Sequence, residues 1–219
     1  MSARRLAVFD LDGTLLDTIG DLAVACDHML ALRSMEGHTY EEYCSFVGNG
    51  ITRLVERAIP EPLRTAEYIA AARRDFLAYY FDHIDIHSCP YDGVHSLLRR
   101  LAAEGVVLAV ASNKFDAGTK RLVERFFPDV PFAAVYGNRE GFPLKPDAAL
   151  LQMIIEECGG DAEHCWMVGD SGVDIQTARA AGVHSIGVSW GFRSREELIE
   201  NGADLIVDTA DEVYDAIMR

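Results

Sequence analysis

Residues 6–18 read Leu6-Ala7-Val8-Phe9-Asp10-Leu11-Asp12-Gly13-Thr14-Leu15-Leu16-Asp17-Thr18, an apolar run that stops abruptly at two carboxylates spaced one residue apart. A short apolar run without polar alternation suits a strand covered on both faces, the central strand of a parallel sheet. Asp10 then stands at the carboxyl end of that strand, where open α/β sheets place their ligands. Gly13 permits a sharp turn and close approach of the backbone to a ligand, and Thr14 adds a hydroxyl beside it. Asp-Gly is also ordinary turn chemistry, so this stretch alone reads equally as a plain acidic turn.

The pattern beyond it turns helical. Leu22, Ala25, Cys26, Met29 and Leu30 share one face of a helix over 19–32, and Thr39-Tyr40-Glu41-Glu42 has the form of a capping box at a second helix start. Gly48-Asn49-Gly50 reads as a loop before a helix over 51–58, which Pro60 and Pro62 end. Thr65 caps a longer helix with Ile69, Ala72, Phe76 and Tyr80 on its buried stripe. From 19 to 82 no strand is expected, and residues 88–93 read as a turn.

Helices and strands then alternate. Apolar strands are expected at 106–111, 133–136, 166–168, 185–188 and 205–207, separated by helical segments with Gly and Pro stops, and Ser194-Arg195-Glu196-Glu197 reads as another capping box. This order predicts an α/β fold with a doubly wound, Rossmann-like parallel sheet and an inserted α-helical cap domain. The core would comprise 1–17 and 88–219, and the cap 18–87.

The chain has 219 residues and is 49% hydrophobic, enough for a real core in one large or two small domains. A formal charge of −15 argues against nucleic acid and anionic membrane as partners. An anionic substrate would therefore need a local cation. Five cysteines without a Cys-x-x-Cys spacing indicate neither a disulfide framework nor a zinc knuckle, and fit a reducing cytoplasm. No signal-peptide or membrane-spanning apolar run is present, so a soluble, unprocessed monomer or homodimer is expected.

The polar residues at the expected strand ends are Asp10 and Asp12, Ser112 with Asn113, and Asp170 with Asp174; Lys145 lies in Pro143-Leu144-Lys145-Pro146. Together they supply a nucleophile, a second carboxyl for proton transfer, a hydroxyl donor, a cation and a further acid for a metal. That complement matches phosphoryl transfer through an aspartyl-phosphate.

The same motifs, in the same order, resemble those of the haloacid dehalogenase superfamily of phosphohydrolases. Asp10-Leu11-Asp12-Gly13-Thr14-Leu15 matches the first motif, Ser112 the second, Lys145 the third and Gly169-Asp170-Ser171-Gly172-Val173-Asp174 the fourth. Val47-Gly48-Asn49-Gly50 and Trp190-Gly191-Phe192-Arg193-Ser194 look like the phosphoglycolate phosphatase branch. The resemblance implies a phosphatase acting on a small phosphorylated metabolite, with Asp10 as nucleophile and Asp12 as acid and base. It also implies Mg²⁺ held by Asp10, the Asp12 main-chain carbonyl and Asp170, with Asp174 orienting Lys145 from behind. Lys145, Ser112, Thr14 and the amides of Leu11, Asp12 and Asn113 would serve the phosphoryl group, and Gly48-Asn49-Gly50 would read the rest of the substrate or act as a plain turn. A phosphomutase of the β-phosphoglucomutase type, or a non-catalytic binding module on the same core, is the alternative. His83 and His87, with Asp82 and Asp85 nearby, have metal-ligand spacing but no accompanying motif, and a chain-return surface is the simpler reading.

Overall fold

The structure, a computed structural model, describes residues 4–219. In chain order it contains β1 (Leu6–Phe9), β2 (Leu16–Asp17), α1 (Ile19–Ala31), α2 (Tyr40–Phe46), α3 (Ile51–Ala58), α4 (Ala66–Tyr80), β3 (Cys89–Pro90) and α5 (Val94–Ala103). The remainder is β4 (Val107–Phe115), α6 (Asp116–Phe126), β5 (Phe132–Asn138), α7 (Ala149–Glu157), β6 (Cys165–Gly169), α8 (Gly172–Ala181), β7 (His184–Val188), α9 (Arg195–Glu200), β8 (Leu205–Val207) and α10 (Ala210–Met218). The main sheet has the order β5-β4-β1-β6-β7-β8, and every pairing in it is parallel. This is the doubly wound α/β architecture expected from the alternation of strands and helices.

β1 is buried along its whole length because both of its faces are covered. Ala7 and Phe9 join the apolar cluster that includes Leu97 and Leu101 of α5 and Val213 of α10. Leu6 and Val8 join the cluster on the other face, with Leu151 and Ile154 of α7. The absence of polar alternation in the opening stretch therefore has a direct cause in packing.

Strand order also places the chemistry. β4 and β6 flank β1 in parallel register, Phe9 standing opposite Val110 on one side and Val168 on the other. The residues just past these positions, Asp10, Ser112 and Asp170, consequently share one edge of the sheet.

Three expectations are revised. Residues 88–93 do not form only a turn, because Cys89–Pro90 pairs antiparallel with Leu16–Asp17. This small ribbon ties together the chain segments that enter and leave the four helices α1–α4. The strand expected at 106–111 continues to Phe115, with a register irregularity between Ala111 and Phe115 that carries Ser112, Asn113 and Lys114 on extended backbone. The Thr39 capping box forms as expected, whereas at Ser194 only the serine oxygen accepts from the Glu197 amide.

Below the ribbon, Asp21 is buried and accepts hydrogen bonds from the amides of His87 and Ser88, both at 2.8 Å, and from the Ser88 hydroxyl at 2.6 Å. A buried carboxylate with three donors fixes the two connections against each other. No helix among the described residues is long and apolar enough to cross a membrane.

Candidate active site

Asp10 and Asp12 follow β1 on a turn closed by hydrogen bonds from Leu15 and Leu16 amides to the Leu11 carbonyl, both 3.0 Å. Gly13 has φ of 87°, a left-handed conformation that side chains disfavour, and a Cβ there would fall 2.4 Å from an Asp170 oxygen. Glycine is needed both for the turn and for the approach of this turn to β6.

The two carboxylates are held by different cations. The Asp10 carboxylate lies 3.0 Å from Lys145 Nζ, which donates to Asp174 at 2.7 Å. The Asp12 carboxylate accepts from the Thr18 hydroxyl at 2.7 Å and from Lys114 Nζ at 3.0 Å. Lys114 also donates to the Tyr80 hydroxyl at 2.5 Å, which links the acid to the end of α4. Lys114 and Tyr80 are both buried. Burial, then the Asp12 charge, holds the Tyr80 phenol well above its usual range, so it remains protonated.

Asp174 is fully occupied: one oxygen accepts from Lys145, and the other accepts from the Ser171 hydroxyl at 2.6 Å and the Ser171 amide at 3.2 Å. Asp170 is held by the Phe192 amide at 2.8 Å and, more weakly, by the Thr14 hydroxyl at 3.4 Å. Burial raises Asp170 to about 8, with Asp174 and Asp10 adding repulsion. Burial likewise raises Asp10 to about 7; Lys145 opposes that shift, while Asp174 and Asp12 reinforce it. Burial works against the Lys145 ammonium, but Asp10 and Asp174 outweigh it and keep Lys145 firmly charged.

Ligand oxygens of Asp10, Asp170 and Asp174 lie within 4.8 Å of one another, and all three residues are buried. Lys145 pairs with Asp10 and Asp174 but not with Asp170, so the three acids crowd together with one ammonium among them, an oxygen-rich cluster that fits a divalent cation. Asp174 gives both oxygens to Lys145 and Ser171 and does not line the pocket, whereas Asp10 and Asp170 do and could hold such a cation.

Asp10, Asp12, Ser112, Asn113, Gly48, Gly50 and Asp170 line one pocket. Lys145 and Asp174 lie buried behind it. Leu11, Thr14 and Asn49, expected on the substrate side, are placed otherwise. The Leu11 amide donates to the Asp10 carboxylate at 2.7 Å, the Thr14 hydroxyl is turned toward Asp170, and the Asn49 side chain accepts from Arg57 at 2.8 Å. The Asn113 side chain bridges the sheet edge to the helical segment, donating to the Gly48 carbonyl at 3.0 Å while accepting from the Lys145 amide at 2.9 Å.

Nothing in the sequence marks Lys114 as the partner of Asp12, or Tyr80 as the partner of Lys114. Lys114 was visible as the charged residue closing an apolar strand, but nothing in spacing announces a pairing across 102 positions. Arg193 has a structural part of its own. From the loop after β7 it donates to the carbonyls of Cys44 at 2.7 Å and Val47 at 2.5 Å, fastening the end of α2 over the pocket. His83 and His87 do not assemble a metal site: the His83 ring is stacked on Tyr79 and hydrogen-bonded to its carbonyl.

A family profile described as haloacid dehalogenase-like hydrolase matches residues 7–188. Phosphoglycolate phosphatase of Mesorhizobium japonicum is 37% identical over 195 residues, covering 88% of this chain and 86% of that protein. The enzyme of the same name from Agrobacterium fabrum is 36% identical, covering 93% and 88%. A crystal structure from Lactobacillus delbrueckii subsp. bulgaricus, 34% identical, is similar over 98% of both chains with a TM-score of 0.92. With its acids, lysine and serine gathered on one sheet edge, this chain belongs to the haloacid dehalogenase-like hydrolase family.

Proposed function

We propose that the protein is a Mg²⁺-dependent phosphatase of small phosphorylated metabolites, with 2-phosphoglycolate as the leading substrate and residues 18–87 as a cap over the pocket. The carrying observation is the division of the two adjacent carboxylates between two lysines: Asp10 on Lys145, Asp12 on Lys114 and Thr18. A pair so divided supports two jobs. The names of the two bacterial relatives and their near full-length match support the substrate. Five free cysteines support a reducing, cytoplasmic setting.

In this reading Asp10 attacks the phosphorus in line while Asp12 gives its proton to the departing alcohol oxygen. Asp12 then takes a proton from water as that water attacks the aspartyl-phosphate, which releases phosphate and restores Asp10. Lys145 meets the charge on the phosphoryl oxygens, and the Ser112 hydroxyl and Asn113 amide donate to them. Asp174 keeps Lys145 in place. The residues that would hold Mg²⁺ are Asp10, Asp170 and the Asp12 main-chain carbonyl; when bound, the ion supplies charge neutralisation at the phosphoryl group. Phosphate monoesters hydrolyse so slowly unaided that proton transfer, contributing about 10²- to 10⁴-fold, is a minor part of the acceleration.

The test is release of inorganic phosphate and of the free alcohol by the purified protein across a panel of phosphoesters, with and without Mg²⁺. Mg²⁺-dependent release of both, fastest for 2-phosphoglycolate, is expected. Isomerised sugar phosphate without free phosphate, or no turnover of any ester, would overturn the proposal.

A further inference from the structure

In the proposed chemistry Lys114 binds no phosphoryl oxygen, yet it is a buried ammonium in the wall of the catalytic pocket. Burying a cation is costly unless it is both paired and hydrogen-bonded. The Lys114 side chain is 1% exposed, and its Nζ meets Asp12 Oδ1 at 3.0 Å, Asp12 Oδ2 at 3.3 Å and the Tyr80 hydroxyl at 2.5 Å. Among the described residues it pairs with no other acid, whereas Lys145 is shared between Asp10 and Asp174.

Both sides of this lysine are fixed. β5 presses on its backbone, since a Cβ at Gly137 would fall 2.4 Å from the Lys114 carbonyl, and the Lys114 amide donates to the Ser112 hydroxyl at 3.3 Å. Tyr80, the last residue of α4, is wholly buried, its ring centroid 5.1 Å from that of Phe76 and 6.2 Å from that of Phe115. A phenol packed in this way offers its hydroxyl as a fixed acceptor. On Asp12 the donors are uneven: Oδ1 accepts from Thr18 at 2.7 Å and from Lys114 at 3.0 Å, while Oδ2 has only the longer Lys114 contact. The carboxylate is thereby turned so that Oδ2 is the oxygen left for a proton. Without a cation on this side, the Asp12 charge would be drawn toward Lys145 or toward an ion held by Asp10 and Asp170.

We propose that Lys114, braced by Tyr80, is the positioning residue of Asp12: it holds the carboxylate off the groups around Asp10 and presents Oδ2 to the water that cleaves the aspartyl-phosphate. The inference rests on the phosphatase reading. In that step the water oxygen bonds to phosphorus and its proton passes to Asp12 Oδ2. The bond from Asp10 to phosphorus breaks, its electron pair returning to the Asp10 carboxylate.

4-Nitrophenyl phosphate separates this step from the first, because nitrophenolate departs as a stable anion and needs no proton from Asp12. Rapid mixing of that ester and Mg²⁺ with the Lys114→Met protein is expected to release one nitrophenolate per protein within about threefold of the wild type's first-turnover rate. Steady release should then be about 10²-fold slower than the wild type's, the cost of a misplaced group. Tyr80→Phe keeps the ring and removes only the hydroxyl; it should show the same split at about tenfold, and it decides the matter if Lys114→Met does not fold. Phosphorylated Asp10 should accumulate in both variants, read by acid quench and peptide mass spectrometry. A merely structural role would slow the first turnover and the steady state alike. That result, or a steady state unchanged in both variants, overturns the proposal while the wild type's own turnover leaves the phosphatase reading standing. A wild type inert toward every ester fails that reading, and this inference with it.

Discussion

Asp10 and Asp12 are two positions apart in the chain yet sit in different ion pairs, and this separation is where their proposed roles become testable. Asp10→Asn is expected to abolish turnover. Asp12→Asn is expected to lower kcat about 10²- to 10⁴-fold with KM little changed, a split that steady-state kinetics with 2-phosphoglycolate would read. The raised acids also predict a pH signature. With Asp10 at about 7 and Asp170 at about 8, against ordinary values near 3.8, the folded metal-free protein binds more protons than the unfolded chain between those limits. Stability without metal should therefore fall as pH rises from about 4 to 8. A divalent cation displaces those protons, so Mg²⁺ should raise Tm more at pH 8 than at pH 6, as thermal melts would show; a pH-independent Mg²⁺ effect would contradict this. At this scale the acids were legible because each follows an apolar run. Lys114 was not, because a strand-end lysine looks the same in sequence whether it meets water or, as here, Asp12 and Tyr80.

Contacts between elements govern how the helices sit over the pocket. Arg193 holds the carbonyls at the end of α2, and Asn113 holds Gly48. Arg193→Ala removes the bonds to the Cys44 and Val47 carbonyls without touching the proposed nucleophile, and kcat/KM is expected to fall about tenfold, since each such bond contributes about 0.5–1.5 kcal/mol. Unchanged kinetics would separate Arg193 from closure. On the opposite side, Asp21→Ala leaves the His87 and Ser88 amides and the Ser88 hydroxyl without their acceptor. A loss of about 3 kcal/mol in urea denaturation is expected, and a loss within about 0.5 kcal/mol would refute the tie. Periodicity announced α1 and α4 because each buries one stripe, whereas a capping box marked α2 and Gly and Pro bounds marked α3. It missed β2 and β3, whose two-residue pairing is too short to leave a pattern, and it stopped β4 at Ala111 because the next three residues are polar. Those polar residues are nonetheless buried, since Asn113 and Lys114 find partners inside the site.

Across the whole molecule, a net charge of −15 surrounds a pocket whose buried acids outnumber the lysine they touch. In the proposed reading, capture of an anionic ester thus depends on local cations, a requirement visible already in composition. The parallel sheet brings the proposed groups to one edge because β4, β1 and β6 are adjacent, a fact of strand order that alternation alone does not determine. The central claim is that Asp10 carries the phosphoryl group. Its most direct test is an acid quench of the protein during Mg²⁺-supported turnover of 2-phosphoglycolate, followed by peptide mass spectrometry. The proposed chemistry predicts a phosphoryl group on the Asp10 side chain, lost on treatment with hydroxylamine. Turnover with no phosphoryl group on the protein, or with one on any other residue, would contradict it.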